Sequence, residues 1–425
     1  MIKKKPITIF IAFAIVVTPL LSSFTTSYAD FSQSSYNTSV IPEKHLIEGV
    51  PYVGQETDFY CAYASPTMVF RYYEINTTEH EVLFNSGVGY SFGIKGNTPI
   101  DGVHLSYLKA DREFLADLYG LSYEDWKADI NSMTADECWQ EYWLRVKQNI
   151  SQDIPVLTSA NPFLLKSGKE FLKNPDWLSR FNITLPSSHM IVLVGYNESN
   201  GTVCYNDPML LFFGHPEKGA YVWQNITEFS KAVKKALQAE YMIQIYKNTS
   251  ANPLDKTEAL ERAHKRNIER MCGNKSAYDE SCSGYLLGIK GLKDLRKDLG
   301  NIMCRLPTTI TYKLKGTLYR VANKIFKIHC RILLLGDYIY MFACKYNMSK
   351  YLYEISNSST YREEAKLLEM ESENWSKLEY CVLKFGNTRL MQVLYPRIII
   401  HKMTKTLDNI IAIEEKIISN SANNS

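Results

Sequence analysis

The chain has 425 residues, 45% of them hydrophobic and 22% charged, which is material for two packed domains and excludes wholesale disorder. Its net charge of +3 hides a division: residues 30–254 carry 17 Lys+Arg against 26 Asp+Glu, residues 255–425 carry 28 against 19. No Arg-rich run, RNA-binding signature or Gly-rich phosphate loop occurs, so nucleic acid is not an expected partner. Two oppositely charged domains that dock on one another are the simplest account; membrane contact by the basic half is the sharper alternative.

Lys3, Lys4 and Lys5 precede an apolar stretch from Ile7 to Leu21, and Ser27-Tyr28-Ala29 offers a small-residue cleavage site. Residues 1–29 therefore read as a secretory signal peptide, and the mature protein as secreted or extracytoplasmic. The apolar stretch is short for a membrane span and Pro19 interrupts its end, which leaves an uncleaved anchor as the lesser alternative. Residues 30–44 are polar and read as a flexible lead-in.

In VPYVGQETDFYCAYASPTMVFRYY, Met68, Val69, Tyr72 and Tyr73 recur at helical spacing after Cys61. Pro66 is tolerated in a first helical turn, so the helix is expected to begin near Tyr63 to Ser65, with Cys61 at its N-terminal mouth. The positive end of a helix favours a thiolate there. Gln55 can set its side-chain amide beside the backbone N–H of Cys61, giving two donors for a tetrahedral oxyanion. A lone cysteine is otherwise a small buried hydrophobe.

Trp126 to Val146 reads as helical, and Pro155 to Thr158 as a strand. Met190 to Tyr196 is a β-branched apolar run, read as a buried strand, and the turn cluster NESNG leads to a second strand from Thr202 to Tyr205. His189 opens the first strand and Asp207 closes the second, so the two can pair across neighbouring strands. Asn206 is a rival for orienting His189, but on a straight strand it points to the opposite face from Asp207. Tyr221 to Trp223 suggests a strand, Thr227 to Phe229 a capped helix start, and Tyr241 to Tyr246 a last strand.

NTSANP, residues 248–253, is turn-rich and serves as a linker. Beyond it, apolar residues recur at helical spacing in Leu286 to Leu299, Leu314 to Leu335 and Met391 to Ile418, interrupted by Pro307, Gly336 and Pro396. Nine cysteines leave eight beside Cys61, an even number that fits disulfides in an oxidising compartment, with Cys272 and Cys282 the nearest candidate pair. Reduced, buried thiols are the alternative. No CxxC or HxxxH spacing appears, so neither a metal nor another cofactor is expected.

The Gln55–Cys61 segment and SSHMIVLVGYNESNGTVCYNDP resemble the bacteriocin-processing, double-glycine-leader type of cysteine peptidase, within the papain-like superfamily. That resemblance implies Gln55 as oxyanion donor, Cys61 as nucleophile, His189 as base and Asp207 as its orienter. EHEVLFNSGVGYSFGIKG, HLSYLKADREFLADLYGL and DIPVLTSANPFLL are similar to the N-terminal domain of butirosin biosynthesis protein H, an acyltransferase family. GYLLGIKGLKDLRKDL resembles the helical domain that accompanies it. Together the resemblances cover most of residues 45–310.

The expected fold is α+β: a papain-like thiol domain over 45–250, with N-terminal helices and a C-terminal antiparallel sheet, then an all-α helical bundle over 255–425. Three functions follow: an exported cysteine hydrolase acting on a peptide or acyl-amide substrate, a thiol acyltransferase passing an acyl group to an amine, or a non-catalytic peptide-binding module. Export favours hydrolysis, because acyl-carrier donors are cytoplasmic.

Overall fold

The computed structural model describes residues 41–57, 60–95, 102–104, 109–129, 131–172, 187–236, 239–278, 282–305, 345–355, 358–386 and 394–424. The signal segment 1–29, most of the lead-in and the helix expected over Leu314 to Leu335 lie outside the described residues.

In chain order the elements begin with β1 (Lys44–Leu46), α1 (Cys61–Tyr72), α2 (Glu79–Ser86), β2 (Phe92–Lys95) and β3 (Gly102–His104). Next come α3 (Lys109–Leu118), β4 (Leu121–Lys127), α4 (Ala135–Ile150) and β5 (Val156–Ala160). They are followed by β6 (His189–Asn197), β7 (Thr202–Asn206), α5 (Met209–Phe212), β8 (Val222–Asn225), α6 (Ile226–Lys234) and β9 (Tyr241–Lys247). The remaining elements are α7 (Lys256–Met271), β10 (Tyr285–Leu287), α8 (Gly288–Arg305), α9 (Lys345–Ile355), α10 (Ser359–Gly386) and α11 (Leu394–Asn424). Helices with an antiparallel sheet make the class α+β.

Two compact units divide the chain: residues 1–82 with 115–254, and residues 83–114 with 255–425. In the first, a seven-stranded sheet has the order β4-β9-β5-β6-β7-β8, with β1 also paired to β6. Its strands are antiparallel throughout. The run from His189 to Tyr196 is buried along its length, and α1 and α4 both pack against this strand. That burial is why β6 reads as a continuous apolar stretch rather than an alternating one. A Cβ on Gly195 would stand 2.7 Å from Leu46 Cδ1, so the glycine permits the close approach of β1.

Trp126 corrects one expectation, since it lies in β4 and pairs with Met242 of β9. The helix starts only at Ala135, where Thr134 and Glu137 form a reciprocal capping box. The aromatic residues of 121–127 suit a pleated, half-buried surface as well as a helix, and pairing with β9 decides between them.

The second unit has a core of Leu292, Leu295 and Leu299 from α8, Trp375, Leu378 and Val382 from α10, and Ile400, Met403, Leu407 and Ile410 from α11. These recur at three- and four-residue steps, so each helix offers one apolar stripe. Residues 255–425 are not all helical, however. Tyr285–Leu287 form β10, antiparallel to β2, and β2 pairs in turn with β3. Leu286 is therefore in a strand, not a helix. Gly284 and Gly288 carry φ of +84° and +56°, a left-handed backbone that breaks the chain on either side of β10.

Buried charges in this unit are paired. Arg270 meets Asp111 and donates to the Ser86 and Ala277 carbonyls. Lys345 is fully buried between Glu371 and Glu414. Cys272 is a free, exposed thiol, so the bridge to Cys282 considered above does not form. Among the described residues no helix is long and apolar enough to cross a membrane.

Candidate active site

Helix α1 starts at Cys61 itself, earlier than the Pro66 argument implied. Pro66 is thus the sixth helical residue, where its missing N–H forfeits the bond to the Ala62 carbonyl. Cys61 stands at the first helical position, half-buried, among backbone amides that have no acceptor within the helix.

One turn later on the same face, Ser65 Oγ donates to the Met190 carbonyl at 3.0 Å. That bond pins α1 against the start of β6, immediately beside His189. The Cys61 side chain and the His189 imidazole are hydrogen-bonded. The other ring nitrogen, Nε2, lies 2.7 Å from Asp207 Oδ1, which leaves Nδ1 for the sulfur. Both His189 and Asp207 are buried, at 4% and 0% exposure, which takes the pair largely out of solvent.

Burial by itself would push His189 down, but the Asp207 carboxylate and the Cys61 sulfur outweigh it and lift it to about 10. Burial would raise Asp207, yet the imidazolium and hydrogen bonds from Ser167 and the Met209 amide hold it below the ordinary carboxylate value. The site therefore favours a protonated His189 beside an ionised Asp207.

Asp207 is held from several directions. Its Oδ2 accepts from Ser167 Oγ, and its Oδ1 accepts from the Met209 N–H at 2.9 Å. Its own N–H donates to the Gly219 carbonyl at 2.7 Å, and its carbonyl accepts from Tyr52 Oη at 3.0 Å. Ser167 lies 3.2 Å from Tyr205 Oη, which donates in turn to Gln224 Oε1 at 2.9 Å. Asn206, the rival, accepts from the Tyr221 N–H, while the bond to His189 is made by Asp207. Ser167, 40 residues before Asp207, carries no local signal and escaped sequence reasoning.

Gln55 is buried, and its N–H donates to the Pro208 carbonyl at 2.8 Å, tying its segment to the turn after Asp207. Its side-chain amide donates to the Thr57 carbonyl at 2.9 Å, while Oε1 has no partner. In this structure the amide thus serves its own loop.

Glu79, the first residue of α2, is a further group that sequence reasoning missed. Burial, the neighbouring Glu56 carboxylate and the Cys61 sulfur push it up to about 9. In the sequence it reads only as an acid in a helix's first turn, where the dipole welcomes it.

A thiol, an imidazole bonded to it and a buried carboxylate behind the imidazole are groups with which an acyl carbon can be attacked. Residues 47–232 match the Peptidase_C39 like family. The match supports a relationship of this segment to the papain-like cysteine peptidase superfamily, and with it a cysteine peptidase-type hydrolase. Gln55, Cys61, His189 and Asp207 all lie inside the Peptidase_C39-like segment. No curated protein matches the chain.

Proposed function

We propose that this protein is an exported cysteine hydrolase that cleaves a peptide or amide bond through a Cys61 acyl-enzyme. The observation that carries the reading is the Cys61–His189–Asp207 arrangement, half-buried at sulfur and buried at the other two, with the imidazole bonded on both sides. The Cys61 sulfur attacks the substrate carbonyl, and an S–C bond forms. Backbone amides at the start of α1, joined by the Gln55 side-chain amide on turning from Thr57, stabilise the oxyanion. His189 gives its proton to the leaving amine as the C–N bond breaks. It then takes a proton from water, which splits the thioester and releases a free carboxylic acid. Asp207 keeps Nε2 of the ring occupied, so that Nδ1 faces sulfur. Export rests on the Lys3–Lys5, apolar and Ser-Tyr-Ala pattern of residues 1–29.

Incubation with a quenched peptide library, read by fluorescence and mass spectrometry, tests this. Free-acid products that disappear with Cys61→Ala and His189→Ala, and fall about 10²–10³-fold with Gln55→Ala, are expected. Products that are amine adducts instead would show acyl transfer, and cleavage persisting in Cys61→Ala would remove the thiol from the mechanism.

A further inference from the structure

Beside the thiol lies a cluster that the hydrolytic mechanism does not use. Glu56, Glu79 and His80 each offer one ligand atom, and these atoms lie within 4.8 Å of one another. The His80 Nε2 to Glu56 Oε2 distance is 3.2 Å. Two donors bound at about 2.0–2.1 Å to a tetrahedral ion are about 3.3 Å apart, so this pair already has the span of a shared metal. Glu56 has a side chain 47% exposed and has room to close the remaining gap.

The second observation concerns Glu79. It is 6% exposed and accepts a hydrogen bond from the Glu56 backbone N–H, yet its Oε1 is buried without any partner. A buried carboxylate oxygen without a donor is costly, and this one stands beside a second carboxylate and in electrostatic reach of the Cys61 sulfur. An acceptor without a partner is thus held within 4.8 Å of a second carboxyl oxygen and an imidazole nitrogen. The start of α2 contributes a positive dipole end that opposes a cation, so an ion bound here displaces the proton of Glu79 and is held by the ligand atoms themselves.

We infer that Glu56, Glu79 and His80 form a binding site for a divalent transition-metal ion next to the thiol centre. Two carboxylate oxygens and one imidazole suit zinc or cobalt better than magnesium or calcium, which favour all-oxygen shells. Three protein ligands leave a fourth position open, as in sites that exchange water or ligand. The site is independent of whether the thiol hydrolyses a peptide.

The experiment is equilibrium dialysis of the full chain against Zn²⁺, with Co²⁺ absorption spectra as a second readout. It is done in a Cys61→Ser background so that sulfur cannot bind the ion. One Zn²⁺ per chain, with affinity weakened at least tenfold by Glu79→Gln and by His80→Gln, is expected. Glu56→Gln alters an exposed side chain and keeps the test valid where the buried change prevents folding; it too should weaken binding. Binding that is absent from the Cys61→Ser chain, or unchanged by Glu56→Gln and His80→Gln, overturns the inference.

Discussion

Replacing Asp207 by Asn removes one negative charge from a fully buried site while keeping its size. The carboxylate and the Cys61 sulfur together carry His189 from 6.5 to about 10 against the burial penalty. At about 1.36 kcal/mol per pH unit, that rise favours the imidazolium by on the order of 5 kcal/mol, shared between the two partners. Without Asp207, burial pulls the ring back toward or below 6.5, and at pH 7 the imidazolium is depleted. Peptide cleavage should fall roughly 10²–10⁴-fold. Iodoacetamide alkylation of Cys61, followed by peptide mass spectrometry from pH 5 to 9, is the direct assay. Alkylation near pH 6 should slow at least tenfold in the variant. Stability gives a second check. The raised His189 contributes in full below pH 6.5 and loses that contribution as pH rises through about 10. The lowered Asp207 contributes in full above 3.8 and loses it as pH falls through its depressed value. The Tm gap between wild type and Asp207→Asn should therefore be widest between those limits and narrow toward pH 10. An unchanged alkylation profile, or a Tm gap that grows above pH 8, would refute the pairing argument.

Ser167→Ala removes the hydroxyl that donates to Asp207 Oδ2, and urea unfolding should show a loss of about 1.5–3 kcal/mol, with cleavage reduced less than by Asp207→Asn. Gly219→Ala puts a Cβ 2.3 Å from Tyr52 Oη and 2.6 Å from the Asp207 carbonyl oxygen. It should displace the Asp207 turn, destabilising by about 1–3 kcal/mol and lowering kcat; unaltered kcat would show that the turn does not hold the carboxylate. In the second unit, Lys345→Met strands Glu371 and Glu414 without their cation and should cost about 3–5 kcal/mol in denaturant unfolding at pH 9. Because burial beside Glu371 already raises Glu414 to about 8, protonation should return part of that loss at pH 6.

The Gln55 to Tyr73 segment and the β6–β7 hairpin were legible because their signals are local. Apolar spacing marks a helix after Cys61, and a β-branched run ending in NESNG marks a strand and a turn. What misled was also local. Pro66 argued for a later helix start, yet packing of α1 on β6, with Ser65 bound to Met190, offsets one lost hydrogen bond. Leu286 fits a helical stripe equally well as a strand, and pairing with Ile94 decided for the strand.

The sequence by itself determined the order of the candidate residue types, the strand that His189 opens, the strand that ends just before Asp207, and the α+β class, since each follows from chemistry or periodicity within a few residues. Tertiary structure alone decided that Ser167 holds Asp207 from 40 positions away and that Asn206 turns to Tyr221. It alone brought Glu56 beside Glu79 and His80, and joined residues 83–114 to the C-terminal unit. These depend on which surfaces meet when apolar faces are buried, and contacts between residues far apart in the chain leave no periodic trace in it.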